Sequence, residues 1–210
     1  MIRLLIADDH TIVREGLKQI LADTRDIAVI GEANSGQEVI KKVGASDYDL
    51  VLLDISLPGM SGLDVLKQIR LLKPSLPVLI LSMYPEEQYA IRSLRAGASG
   101  YLTKESAPEE LISAIHKVAG GRKYITESLA ERIAIDWDKE NLKPLHEMLS
   151  DREYQVLCMI ASGKTVKEIS KLLSLSIKTV STHRARILKK MQMKNSAQLT
   201  HYAIKHNLVE

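Results

Sequence analysis

The chain has 210 residues, of which 26% are charged and 45% hydrophobic, with a formal net charge of +3; that length suits one large or two small domains, each long enough to bury a core. A lone cysteine, Cys158 in an apolar run, excludes an internal disulfide and reads as a buried structural thiol. Arg3 and Asp8-Asp9 interrupt the N-terminal apolar segment, and no stretch approaches the ~18 apolar residues of a membrane span, so a soluble, cytoplasmic protein with no membrane partner is expected.

Ile2 to Ala7 is a short apolar strand that ends in Asp8-Asp9. Ile12, Val13, Leu17, Ile20 and Leu21 then recur at helical spacing. Ile27 to Ile30 reads as a second strand, and Ser35-Gly36-Gln37-Glu38 as a capping box that opens a second helix. Leu50-Val51-Leu52-Leu53 is apolar throughout, the pattern of a strand buried on both faces of a parallel sheet. It ends on Asp54, and a Pro58-Gly59 turn follows. Ser61 caps a third helix bearing Leu63, Leu66 and Ile69. Pro77 to Leu81 is a fourth strand ending at Ser82, and Glu86 to Ala96 a helix stopped by Gly97. Tyr101-Leu102 closes a short fifth strand just before Lys104. Ser106-Ala107-Pro108-Glu109 reads as another capping box, opening a helix to Ala119. Strands alternating with helices in this way imply a parallel sheet with right-handed crossovers.

In such sheets ligands bind beyond the carboxyl ends of the strands. The residues expected there are Asp8, Asp9, Asp54, Ser82 and Lys104. Neither G-x-G-x-x-G nor G-x-x-x-x-G-K-[ST] is present, so nucleotide-binding readings lack their phosphate cradle. Three converging carboxylates repel one another unless a cation joins them, and a few hard oxygen ligands suit Mg2+. A carboxylate beside Mg2+ and an ammonium can attack phosphorus, because both cations offset the charge on a transferred phosphoryl group. Taken singly, each acid merely ends a strand and Lys104 is a surface residue; the matched set makes that bland reading poor.

These features resemble the receiver domain of two-component response regulators. The matching residues are Asp8-Asp9, Asp54 with Pro58, Gly59 and Gly62, Ser82, and Tyr101 three before Lys104. The resemblance implies an α/β receiver over 1–121 with strand order 2-1-3-4-5. It implies Asp54 as acceptor of a phosphoryl group from a sensor histidine kinase, and Ser82 and Tyr101 as a switch pair. It also implies Mg2+ held by Asp9 and Asp54, by Asp8 through a water, and by the backbone carbonyl of Ser56. Many receivers follow the lysine with proline; here Glu105 follows Lys104.

A linker is expected over 122–145, with a short helix near Thr126 to Ala134 and a polar tether at Asp136 to Pro144 that includes Trp137. The charge divides across it. Residues 1–121 hold 13 basic and 16 acidic side chains, and 122–210 hold 16 and 10. Within 164–194 nine basic residues stand against the single acid Glu168, a density that favours a polyanion, most often nucleic acid.

Ser150-Asp151-Arg152-Glu153 and Thr165-Val166-Lys167-Glu168 are capping boxes for two helices, with Gly163 between them. Ser176 caps a third helix running from Ile177 to about Met191. Two helices joined by a short turn, the second basic, form a helix-turn-helix signature. On a helical projection Val180, Ile187 and Met191 share the core face, with His183 at its flank as a packed histidine. Lys178, Ser181, Thr182, Ala185 and Lys189 point the opposite way. Thr179, Arg184, Arg186 and Lys190, with Lys164 just before the preceding helix and Lys167 in it, complete the candidate DNA-binding set. Residues 146–210 are similar to the LuxR-type helix-turn-helix of the NarL/FixJ subfamily, on Leu149 to Glu153, Gly163, Lys167 to Ile169, Thr179-Val180, His183 and Ile187. Many members carry a basic residue at the position of Ala185. The closing helix Ser196 to His206 is similar to the family's dimerisation helix.

The combined expectation is a phosphorylation-controlled transcription factor whose partners are a histidine kinase, promoter DNA and, once phosphorylated, a second copy. A rival is a Mg2+-dependent aspartyl-phosphate phosphatase, but haloacid dehalogenase-type enzymes need a second Asp where this chain has Ser56. A pure protein-interaction adaptor is the other rival, and the basic capped helices argue against it.

Overall fold

In a computed structural model, residues 1–137 and 144–209 are described, without the side chains of 135–137. The tether expected over 136–144 lies largely outside them, as does the side chain of Trp137. Two compact units divide between Ala130 and Glu131.

The first unit alternates β1 (Ile2–Ala7), α1 (Thr11–Ala22), β2 (Ile27–Ala33), α2 (Gly36–Ala45), β3 (Leu50–Asp54), α3 (Gly62–Leu72), β4 (Val78–Ser82), α4 (Glu86–Arg95), β5 (Gly100–Thr103) and α5 (Pro108–Ala119). The five strands are all parallel, in the order β2-β1-β3-β4-β5. β3 and β4 are buried at every residue, as central strands with both faces covered must be. One face of the sheet carries Leu4, Ile6, Leu50, Leu52, Leu79, Leu81 and Leu102, packed on Leu17 and Leu21 of α1 and on Leu111, Ile115 and Val118 of α5.

Side chains alternate along a strand, so parity decides what meets at the strand ends. Asp8 continues Leu4 and Ile6, Asp54 continues Leu50 and Leu52, and Lys104 continues Leu102. Ala7 is level with Leu53 and Asp54 with Leu81. The three charged groups therefore reach one edge on the same side. Ser82 and Tyr101 have the opposite parity, with Ile80 level with Tyr101 and Ser82 with Thr103.

Several local expectations are corrected. Ser35 makes no capping bond; Glu38 instead accepts from the Asn34 N–H at 2.9 Å. The box expected at Ser106 to Glu109 is absent too, since Ala107 is the N-cap and Pro108 supplies the fixed φ of the first turn. β2 runs on to Ala33, because at a sheet edge Glu32 is free to meet Arg14 at 3.1 Å and Lys18 at 2.8 Å. The first unit also extends past 121. Tyr124 bridges to Gly100 and its hydroxyl donates to Glu110 at 2.6 Å, while Thr126 donates to Glu86 at 2.7 Å. A helix, α6 (Glu127–Trp137), follows.

The second unit holds a 3-10 turn (Leu145–Met148), α7 (Asp151–Ala161), α8 (Val166–Leu172), α9 (Ile177–Lys190) and α10 (Ser196–Lys205). Ser150 and Thr165 close reciprocal capping boxes with Glu153 and Glu168, and Ser176 and Asn195 cap α9 and α10. Gly163 takes a φ of +80° after α7, a conformation glycine adopts without steric cost. α7 packs on both α9 and α10. Val180 and Ile187 of α9, Met191 after it, and Leu199 and Ala203 of α10 are buried. Among the described residues no helix is long and apolar enough to cross a membrane.

Candidate phosphoryl-acceptor site and nucleic-acid interface

Asp8 and Asp54 are almost wholly buried at the strand ends, 1% and 3% exposed. Between them lies the Lys104 ammonium, with Nζ 2.8 Å from Asp54 Oδ2 and 2.5 Å from Asp8 Oδ2. The Ser56 N–H donates to Asp54 Oδ1 at 3.0 Å, and the His10 N–H donates to Asp8 Oδ1 at 2.8 Å. Burial pushes the Asp54 carboxyl above its ordinary value, against the pull of Lys104 and the Ser56 N–H. Burial also weakens the Lys104 ammonium, but Asp54 and Asp8 outweigh it and hold the lysine charged above its usual range. The peptide following Lys104 is trans, with Glu105 in place of proline.

The loop behind Asp54 depends on Gly62. Its N–H donates to the Ile55 carbonyl at 2.8 Å, and a Cβ at this position would lie 2.1 Å from the Asp54 carbonyl oxygen. Only a residue without a side chain lets α3 start this close to β3. Gly59, at φ +75°, makes the turn between them.

Asp8, Asp9, His10 and Asp54 bring potential ligand atoms within 4.8 Å of one another. The His10 Nδ1 is 3.0 Å from Asp9 and 3.3 Å from Asp8. His10 was not among the sequence candidates; its position directly after the acid pair was the available signal. Three carboxylates against one ammonium leave the edge with an excess of about two negative charges, which a divalent cation matches in charge and in preference for oxygen.

Ser82 and Tyr101 form an adjoining buried set. The Tyr84 N–H donates to Ser82 Oγ at 3.1 Å, and the Tyr101 hydroxyl donates to the Tyr84 carbonyl at 2.7 Å. Tyr101 is fully buried, and burial raises its phenol well above the ordinary value.

In the second unit Lys178, Ser181, Thr182, Ala185, Arg186 and Lys189 are exposed on α9, and Lys164 and Lys167 are exposed before and on α8. Three other candidates are tied to neighbours. Thr179 Oγ1 bonds Ser176 Oγ at 2.8 Å, Arg184 donates to Ser196 at 3.0 Å, and Lys190 pairs with the buried Glu153 at 2.6 Å. His183 is half-buried, and its Nδ1 is buried with no hydrogen-bond partner among the described residues. Burial lowers its pKa, which keeps the imidazole neutral in its packed place.

A parallel sheet with an acidic, lysine-bridged edge, joined to a capped helix-turn-helix, defines a class that comparison with known proteins bears out. A family model described as a response regulator receiver domain matches residues 4–116, and one described as bacterial regulatory proteins of the luxR family matches 147–203. The chain belongs to the two-component response regulators of the NarL/FixJ subfamily, DNA-binding proteins that pair a receiver with a LuxR-type domain. It is 38% identical to response regulator UvrY of Shigella flexneri over 209 residues, covering 99% of this chain and 96% of the relative. It is 36% identical to response regulator GacA of Pseudomonas viridiflava over 212 residues, covering 100% and 99%. RcsB from Salmonella enterica serovar Typhimurium, solved bound to a promoter in the presence of a phosphomimetic, superposes with a TM-score of 0.60 at 29% identity, covering 96% of this chain and 97% of that one.

Proposed function

We propose that Asp54 accepts a phosphoryl group from a sensor histidine kinase and that this favours a homodimer whose α9 helices enter two DNA half-sites. The observation that carries the proposal is the Lys104 ammonium seated between the buried carboxylates of Asp8 and Asp54. A carboxylate oxygen of Asp54 attacks phosphorus, the phosphorus–nitrogen bond of the donor histidine breaks, and the imidazole leaves with the bonding pair. Lys104 offsets the charge on the incoming phosphoryl oxygens, as a fixed cation in a water-poor site does best. Mg2+, held by Asp8, Asp9, Asp54 and the carbonyl of Ser56, would supply further neutralisation of the same oxygens.

Ser82 stands ready to signal the change. Its Oγ accepts from the Tyr84 N–H in the unmodified chain, and its hydroxyl can turn to a phosphoryl oxygen once Asp54 is modified. Tyr101, bonded to the Tyr84 carbonyl of the same loop, would then respond. The exposed α9 residues Lys178, Arg186 and Lys189, with Lys164 and Lys167, would hold phosphates, while Ser181, Thr182 and Ala185 would face base edges. Arg184, Thr179 and Lys190 have partners within the fold and would join these contacts secondarily. On this reading the receiver spans at least 1–121, the connection lies within 122–145, and 146–210 binds DNA.

Incubating the chain with a radiolabelled small-molecule phosphodonor tests the acceptor. Label is expected to enter the wild type in Mg2+, to stay out in EDTA, and to be absent from Asp54→Ala. Equal labelling of Asp54→Ala would place the acceptor elsewhere.

A further inference from the structure

We propose that the middle of α9 reads thymine methyl groups, through the methyls of Thr182 and Ala185, so that each DNA half-site carries A·T pairs beneath this part of the helix. The inference rests on the DNA-binding reading given above. At about 100° per residue, Lys178, Thr182, Ala185 and Lys189 fall on one narrow stripe. The stripe lies opposite Val180, Ile187 and Met191, which are buried at 0%, 0% and 1% exposure. It is therefore the face most able to enter a groove. Its ends are lysines and its middle has only small side chains.

The Thr182 hydroxyl is not a free donor. Oγ1 donates to the Lys178 carbonyl, one turn back, at 2.9 Å. With its proton engaged there, it has none to give to guanine O6 or N7 or to thymine O4. That bond also fixes the side-chain torsion, because both heavy atoms on Cβ move together. The oxygen keeps acceptor lone pairs, and the methyl is the apolar group it leaves for a partner. Ala185, one turn further on, offers a methyl and nothing else. No Arg, Asn or Gln stands on the stripe, so the bidentate purine contacts such side chains make are missing from its centre. The C5-methyl of thymine is the apolar group that the major-groove edge presents, and apolar contact with Ala or the Thr methyl is its natural match. Small side chains let the helix backbone come close, and Lys178 and Lys189 at the two ends hold phosphates without naming a base.

The test uses the full chain, treated with phosphodonor and Mg2+, to select duplexes from a random pool. An enriched duplex is then remade with deoxyuridine in place of each thymine in turn, which deletes one methyl and nothing else. At least two thymines in each half-site should each weaken binding about four-fold when demethylated. In Thr182→Ser, which keeps the back-bonded hydroxyl, the penalty should vanish at one of them and persist at its neighbour under Ala185. Binding indifferent to every uracil overturns the inference, and so does Thr182→Ser retaining every penalty. A Thr182→Ser defect without any uracil effect overturns it as well, since the lost methyl would then be acting on something other than a thymine methyl. If no duplex is enriched at all, the DNA reading fails and this inference falls with it.

Discussion

Lys104 sets one ammonium between two carboxylates that have almost no access to water, its own side chain being 6% exposed. Removing one partner from such a site leaves uncompensated buried charge, which typically costs about 3 kcal/mol or more. Lys104→Met is therefore expected to destabilise the first unit by about 3 kcal/mol in EDTA. Because a divalent cation would compensate the same carboxylates, the loss should shrink in millimolar Mg2+. Urea unfolding in the two buffers measures both numbers, and a loss that Mg2+ leaves unchanged would contradict Asp8 and Asp54 as metal carboxylates. At this scale the sequence was informative where chemistry and strand parity coincide, as with Asp8, Asp54 and Lys104. It was silent where a residue acts through its backbone: the Tyr84 carbonyl that receives Tyr101 has no signature in residue type. Lys190 shows the opposite difficulty. It looked like one more phosphate contact on a basic helix, and its partner Glu153 lies on a different helix and far back in the chain.

The ion pair between α7 and α9 makes its own prediction. Burial pushes the Glu153 carboxyl up, but the Lys190 ammonium and the N–H and hydroxyl of Ser150 outweigh it and hold it below its ordinary value of 4.5. A folded-state value below the unfolded one means stabilisation that is complete above about pH 4.5 and fades as pH falls through the folded value. Glu153→Gln should thus cost about 2 kcal/mol at neutral pH, and the gap to wild type should close under acid conditions. Hydrogen exchange of the α7 and α9 amides across pH follows it, and a gap constant down to pH 3 would rule this pair out as the source. The elements were legible because their periods are clean: β3 and β4 are unbroken apolar runs, and α9 separates a buried face from a basic one. Element ends were read less well. Ser35 and the residues before α5 look like caps, yet Glu38 and Pro108 settle those termini by other means. β2 outruns its apolar stretch because Gly31 and Glu32 interrupt the pattern before the buried Ala33, and an edge strand tolerates such residues.

At the scale of the whole molecule, an acidic site and a basic helix sit in separate compact units of one chain. Coupling between them is a free energy, and sites of this kind commonly change one another's affinities by about five-fold to 150-fold. A pre-existing equilibrium between forms with weak and strong DNA affinity suffices, provided the modified Asp54 favours the latter. The order of the two halves was plain from the reversal of net charge between 1–121 and 122–210 together with the motif in each. The position of the divide was less plain, because Tyr124 and Thr126 bind back to the first unit through partners distant in sequence. The measurement that bears most directly on the account is DNA affinity of the full chain at fixed ionic strength, with and without phosphodonor, for wild type and Asp54→Ala. Donor should tighten wild-type binding about ten-fold and leave Asp54→Ala at the untreated level. Wild-type affinity that donor does not move, or an Asp54→Ala chain that responds as wild type does, would contradict it.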